Sequence, residues 1–284
     1  MVGSGHPTTT GAAGASRGRH EPIRRARTNA TREPKPMRRR PQPPVPGRRS
    51  MSLAIADPAP ADLYDTALRS AGRPEERWRW FARYEGGPRH SLAGALGQWV
   101  GRADDADRHL LARARGAVLD AGCGPGRLVA ELAAQGREAV GIDTSRVAIA
   151  LTRALGAAAV RRSIFQPLPG EGGWDTVLLA DGNIGIGGDP VALLTRCRDL
   201  LAPDGRVLAE LDRPGTGLRS ARVRLERGAE RGSWFPWAHV GADAVAGPAA
   251  AAGLEVTATW EQDGRWFAAL AAGERPVVRL DRMS

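Results

Sequence analysis

"VLDAGCGPGR", residues 118–127, places three glycines at alternate positions directly behind a short aliphatic run that ends in Asp120. Such a run reads as a buried strand. A glycine-rich turn after it presents backbone amides and a helix N-terminus to a ligand. The spacing of the glycines discriminates between ligands. Dinucleotide enzymes use G-x-G-x-x-G to seat a pyrophosphate. Here the glycines are Gly122, Gly124 and Gly126, and the dinucleotide pattern's last position is Arg127. The pattern is G-x-G-x-G, which disfavours a nicotinamide oxidoreductase.

Working outward, residues 116–212 alternate short aliphatic runs with amphipathic stretches, the signature of βαβ units with a parallel sheet and right-handed crossovers. "AVLD" is followed by the helix "RLVAELAAQG", closed by Gly136, and "AVGID" is the second strand. Thr144 or Ser145 caps "RVAIALTRALG", which stops at Gly156. "AAAVRRS" is a weaker third strand and "WDTVLLAD" a fourth. Asp189 and Pro190 then start the helix "VALLTRCRDLLA", and "GRVLAELD" is the fifth strand. Residues 213–240 read as a connection rich in glycine and arginine, with a small-residue helix at 241–252. "LEVTATW" and "RWFAALA" flank "EQDG" as a hairpin. Upstream, residues 51–112 read as a helical cap with the aromatic, arginine-dense "ERWRWFARYEGGPRH" in its middle.

"VLDAGCGPGR" resembles motif I of the class I S-adenosylmethionine-dependent methyltransferases, and "AVGIDTS" resembles their second motif. "LLAPDGRVLAELD" is similar to the family's turn and fifth strand. The resemblance, which covers about residues 116–212, implies an α/β, Rossmann-like, doubly wound and mostly parallel seven-stranded sheet. The C-terminal antiparallel hairpin belongs to that sheet and the N-terminal helical segment caps it. S-adenosyl-L-methionine is the implied cofactor. By resemblance, Gly122, Cys123, Gly124 and Gly126 pack on it, Asp120 supports its methionine amine, and Asp143, with Thr144 beside it, takes the ribose hydroxyls. Many family members place an acidic residue after the third strand to read the adenine amine. Here Ser163 falls near that position, and Ile164 and Phe165 supply apolar packing instead.

Asp143 also stands on physical grounds, because doubly wound sheets bind ligands at the carboxyl ends of their strands; its alternative role is to cap the next helix. "LLADGNIGIGGDP" follows the fourth strand, where the family places groups near the transferred methyl, so Asp181 and Asn183 are candidate catalytic residues and Asp181 a candidate cofactor contact. A glycine-rich turn is their plainer reading. His239 and His90 are candidate general bases, needed only for an acceptor that is protonated at working pH. Cys123 reads as a small filler. Of eight tryptophans, only Trp174 lies within 113–212; the rest, Trp99 and Trp237 foremost, belong to segments expected to close an acceptor pocket or to pack the cap.

The charge is unevenly spread. Residues 1–50 hold 12 Lys and Arg against 2 Asp and Glu, which accounts for the whole formal charge of +10 and leaves 51–284 neutral. That tail has eight prolines and few apolar residues, so disorder is expected, or a start at Met51. It lacks the apolar segment of a leader, and no run reaches the ~20 apolar residues of a membrane helix. Cys123 and Cys197 make neither a disulfide framework nor a metal-ligand spacing, so a reduced, cytoplasmic, metal-free chain is expected. These features favour methyl transfer to a small molecule, with nucleic acid and membrane disfavoured as partners. The alternatives are an RNA or protein methyltransferase using the basic tail, or a non-catalytic cofactor-binding protein of the same fold.

Overall fold

The structure, a computed structural model, describes residues 62–272; the 1–50 tail and Met51 fall outside them. In chain order the elements are α1 (Asp62–Ala71), α2 (Pro74–Arg77), β1 (Trp80–Tyr84), β2 (Arg89–Ser91), α3 (Ala93–Trp99) and α4 (Asp105–Leu111). The βαβ region follows: β3 (Val118–Ala121), α5 (Arg127–Ala134), β4 (Ala139–Asp143), α6 (Arg146–Ala154), β5 (Ala158–Arg161) and β6 (Trp174–Leu179). After a 3-10 turn (Asn183–Gly185) come α7 (Pro190–Leu200) and β7 (Leu201–Leu211). The chain continues through β8 (Leu218–Arg227), β9 (Glu230–Arg231), β10 (Phe235–Val240), α8 (Ala246–Ala251), β11 (Leu254–Gln262) and β12 (Arg265–Ala272).

Seven strands form one sheet in the order β11-β12-β7-β6-β3-β4-β5. β7, β6, β3, β4 and β5 run parallel; β12 lies antiparallel against β7 and β11 against β12. The strand order reverses at β3, which puts the crevice for a ligand at the carboxyl ends of β3, β4 and β6. Side-chain alternation sorts the core into two layers. Leu119, Val177, Leu179 and Val207 pack with Leu193, Leu194 and Cys197 of α7 and Ala249 of α8. Val118, Leu178, Leu208 and Phe267 pack against Leu110 and Leu111 of α4 and Leu128 and Leu132 of α5. Burial on both faces explains why β3 reads as an unbroken aliphatic run.

The turn chemistry follows the residues. Ser145, not Thr144, caps α6, its hydroxyl accepting from the Ala148 amide at 2.9 Å. Asp189 caps α7 by accepting from the Val191 and Ala192 amides at 3.0 Å. Gln262 pairs directly with Arg265, leaving Asp263 (φ 53°) and Gly264 (φ 78°) as a two-residue loop. Both take the left-handed conformation that a tight hairpin of this twist requires.

Two expectations need correction. Residues 213–240 are not an irregular connection: they form β8, β9 and β10. The segment 51–112 is not purely helical, because its aromatic middle is the hairpin β1–β2. Together these strands make a second, antiparallel sheet in the order β10-β8-β1-β2, with β9 on β8. Long-range pairing between β1 and β8 joins stretches some 140 residues apart in sequence (Tyr84 opposite Val223), and no local pattern reports such a partner. Trp80 anchors this cap. It is buried with Ala67, Ala71 and Leu96, and its indole N–H donates to Ser70 Oγ at 2.9 Å.

Candidate functional site

Four acidic residues stand at the carboxyl ends of four adjacent parallel strands. Asp143 ends β4, Asp120 lies near the end of β3, Asp181 follows β6 and Asp212 follows β7. The glycine loop runs between the first two. Gly122, Gly124 and Gly126 all have positive φ (78°, 53° and 93°), a region costly for any residue with a Cβ. Close packing adds to the requirement at Gly126, where a Cβ would sit 2.5 Å from Thr152 Cγ2. The amides of Gly122 and Cys123 both donate to the Ile142 carbonyl, at 2.8 and 2.9 Å, fastening the loop across β4.

Asp143 is the second fastener. Its Oδ2 accepts from the Gly124 amide at 3.0 Å and its Oδ1 from the Ser145 amide at 2.8 Å. Burial pushes its pKa up to about 6, against the lowering pull of those amides. Asp120 is 2% exposed and its Oδ2 has no hydrogen-bond partner. Desolvation, added to by Asp181, Asp143 and Asp107 and opposed by Arg127, pushes it up to about 7. A buried carboxylate oxygen without a partner is costly and calls for a cationic or donating ligand. S-adenosylmethionine carries both an ammonium and a sulfonium, and the acidic rim fits it.

The remaining candidates divide. Asp181 (φ 55°) accepts from Arg127 at 2.5 and 2.9 Å, and from Gln98 Nε2 at 3.3 Å; its amide donates to Glu210 at 2.7 Å. Arg127, 5% exposed, also holds Asp107 through bonds of 2.8 and 2.9 Å, while Arg265 bridges Asp107 and Glu210. Asp181 is therefore one node of a buried ion network, and burial raises its pKa. Asn183 spends its amide N–H groups on the carbonyls of Ala121 and Gly122, at 3.0 and 2.9 Å. It is a strut for the glycine loop.

Cys123 is buried beside Thr152 and Gly141, where desolvation raises its pKa, in keeping with a filler. Thr144 is half-buried and its carbonyl accepts from Arg161. Ser163 caps its own turn by accepting from the Phe165 amide at 3.3 Å. Ile164 is in the core, and Phe165 lies against Gly187. His90 is exposed on β2, in edge contact with Tyr84. His239 sits on β10, 2.8 Å from Tyr84 Oη and 3.0 Å from Asp212 Oδ2.

Sequence reasoning missed Tyr64, Arg127, Tyr84 and Asp212. Tyr64, on α1, lies over the loop with its hydroxyl 3.4 Å from where a Cβ on Gly124 would stand, and meets Trp99 edge-on at 6.1 Å. Asp65 next to it accepts from the Ser145 hydroxyl, so the cap touches the Asp143 turn. Of these, only Arg127 carried a signal: a charged residue at the first position of a helix whose other inward residues are aliphatic.

Against known proteins, residues 66–259 match the methyltransferase-domain family. The chain belongs to this family and is a class I S-adenosylmethionine-dependent methyltransferase. Its fold is shared by a SAM-dependent methyltransferase from Bacteroides fragilis in complex with S-adenosyl-L-homocysteine. The two are 20% identical over 76% of this chain and 98% of that one, with a TM-score of 0.62. More distant in shape is the 1,6-didemethyltoxoflavin-N1-methyltransferase of Burkholderia thailandensis (20% identity, 76% and 91% coverage, TM-score 0.46). An amino pentose methyltransferase from Micromonospora echinaspora bound to SAM matches at 18% identity, 67% and 100% coverage and a TM-score of 0.46. No curated protein matches the sequence. Among the described residues, no helix is long and apolar enough to cross a membrane.

Proposed function

We propose that this enzyme methylates a small molecule lodged between the carboxyl ends of β6 and β7 and the inner face of the cap sheet. The observation that carries the reading is the partnerless Oδ2 of Asp120, buried at the glycine loop in a rim of acidic strand ends. It supports a cationic ligand over β3 and β4, which leaves the β6–β7 side for the acceptor. In this reading Asp120 takes the methionine ammonium, Asp143 the ribose hydroxyls, and Gly122, Gly124 and Gly126 give the cofactor close access to backbone. Ser163, Ile164 and Phe165 flank the adenine end, with Phe165 the ring available for stacking. Asp181 and Asn183 position these groups: the first through Arg127, the second by holding the loop.

Bound there, S-adenosylmethionine supplies a methyl group on a sulfonium that leaves as a neutral thioether. The protein's part is alignment and exclusion of water. Tyr64 from the cap lies over the loop with Trp99 edge-on against it, and the pair support a closed, dry site. Trp237, whose ring packs on Gly185, and Tyr84 support an aromatic wall on the acceptor side.

The test is calorimetry of S-adenosylmethionine and S-adenosylhomocysteine with the full chain and with Asp143→Ala, followed by transfer of labelled methyl to panels of small amines, phenols and thiols, and to RNA and protein. Micromolar binding that Asp143→Ala abolishes, with label reaching a small molecule, is the expected result. A wild-type chain that binds neither ligand would overturn the site. Label entering only RNA or protein would overturn the acceptor class.

A further inference from the structure

The acceptor side of the strand ends holds a polar chain drawn from three separate segments. Asp212 directly follows β7, His239 is on β10 and Tyr84 ends β1. His239 Nδ1 lies 3.0 Å from Asp212 Oδ2, and Nε2 lies 2.8 Å from Tyr84 Oη. An ionised carboxylate only accepts hydrogen bonds, so neutral His239 must carry its proton on Nδ1. Nε2 is then a bare acceptor, and the phenol of Tyr84 must donate to it. The order Asp212–His239–Tyr84 is that of an orienting acid, a base and a hydroxyl poised to lose its proton.

The chain is not sealed in a core: the side chains of His239 and Asp212 are 23% and 39% exposed. It lies beside the turn that carries Asn183, since the neighbouring residues Trp237 and Ala238 press against Gly185. Arg219 pairs across from His239 on β8, and His90 meets the Tyr84 ring edge-on at 5.4 Å.

We infer that Tyr84, His239 and Asp212 form a proton relay for the acceptor, which is therefore a group still protonated at neutral pH, a hydroxyl or an ammonium that becomes nucleophilic as its proton leaves. This rests on the proposed methyl transfer at the adjacent site. As the acceptor atom forms its bond to the methyl carbon, the carbon–sulfur bond breaks with its electron pair left on sulfur. A hydroxyl gives up its proton as its oxygen attacks, whereas an ammonium gives it up beforehand to free its lone pair. In either case the proton passes to Tyr84 Oη while the phenolic proton moves to His239 Nε2. The imidazolium is held by Asp212 and returns its proton to solvent through its exposed edge. A thiolate or carboxylate acceptor, already ionised, needs no such relay. Burial and Asp212 hold the Tyr84 phenol above its ordinary pKa, which keeps its proton in place until His239 takes it.

The tautomer is the first test. In the full chain with S-adenosylhomocysteine, nitrogen-15 spectra are expected to show His239, assigned by its loss in His239→Gln, protonated on Nδ1 and bare on Nε2. Protonation on Nε2 overturns the relay. Calorimetry of S-adenosylmethionine with Tyr84→Phe, His239→Gln and Asp212→Asn is expected to match wild type. Absent binding in wild type would strike the cofactor site itself, and the tautomer result would stand apart from it. With small phenols, alcohols and amines as acceptors, His239→Gln and Tyr84→Phe are expected to lower kcat about 10²- to 10⁴-fold at unchanged KM. Asp212→Asn is expected to lower kcat and to lose the Nδ1-protonated tautomer together. An unchanged kcat in His239→Gln, or turnover of thiols alone, overturns the inference.

Discussion

Asp120→Asn should stabilise the ligand-free protein while weakening its hold on the cofactor. In the folded chain the carboxyl is buried and pushed up to about 7, whereas in the unfolded chain it titrates near 3.9. The folded state therefore binds a proton more readily between those values, and stability falls as pH rises from about 4 through about 7. The gap between the two values corresponds to about 4 kcal/mol lost above pH 7, at roughly 1.36 kcal/mol for each tenfold change in proton affinity. Asparagine removes that charge but leaves an amide with unmet hydrogen bonds, at a cost of about 1–3 kcal/mol. The net gain at pH 8 is then about 1–3 kcal/mol, or roughly 2–12 °C in melting temperature for a domain of this size. Denaturant unfolding of both proteins from pH 4 to 8 reads the effect directly. The wild-type curve should fall with pH and the variant's should fall less, because Asp143, pushed up to about 6, still contributes. With S-adenosylmethionine the ranking should narrow or invert, since a ligand at 100 times its Kd adds about 2.7 kcal/mol and the variant loses that affinity. A variant no more stable than wild type at pH 8, or with the same pH slope, would refute the argument that Asp120 is a desolvated charge kept for a cationic ligand.

Arg127→Met takes the bidentate partner from Asp181 and one of the two arginines from Asp107, which keeps Arg265, and should cost about 3 kcal/mol, measurable by denaturant unfolding at pH 7. Gly126→Ala meets both a φ of 93° and the Thr152 side chain. More than about 1 kcal/mol of stability should be lost, and binding of S-adenosylhomocysteine should drop with it in calorimetry. Ser145→Ala removes the α6 cap and the bond to Asp65, for a loss of about 1–2 kcal/mol by thermal melting.

The glycine loop, the strand ends and the caps were legible from the sequence because each is a local requirement. Positive φ at 122, 124 and 126 demands glycine, Asp189 before Pro190 demands a helix start, and Asp263-Gly264 demands a tight hairpin. The period of the aliphatic runs then fixes the parallel sheet and, with it, Asp120 and Asp143 at adjacent strand ends. What tertiary structure alone decided is who meets whom across the chain. The arginines of 219–231 read as a polar connection, yet Arg83, Arg224 and Arg231 close around the buried Glu226 in a sheet built from two distant segments. Asp181 and Asn183 were placed in the turn after β6 by their position in the sequence, but nothing local shows that the one holds Arg127 and the other the carbonyls of the glycine loop. The Tyr84–His239–Asp212 chain has no signature either, because hydrogen bonds between residues 27 and 155 positions apart are made by strand pairing and packing. Local backbone preference writes itself into neighbouring residues; side-chain partnership at long range does not, because loop closure lets many different partners meet for a similar entropic cost.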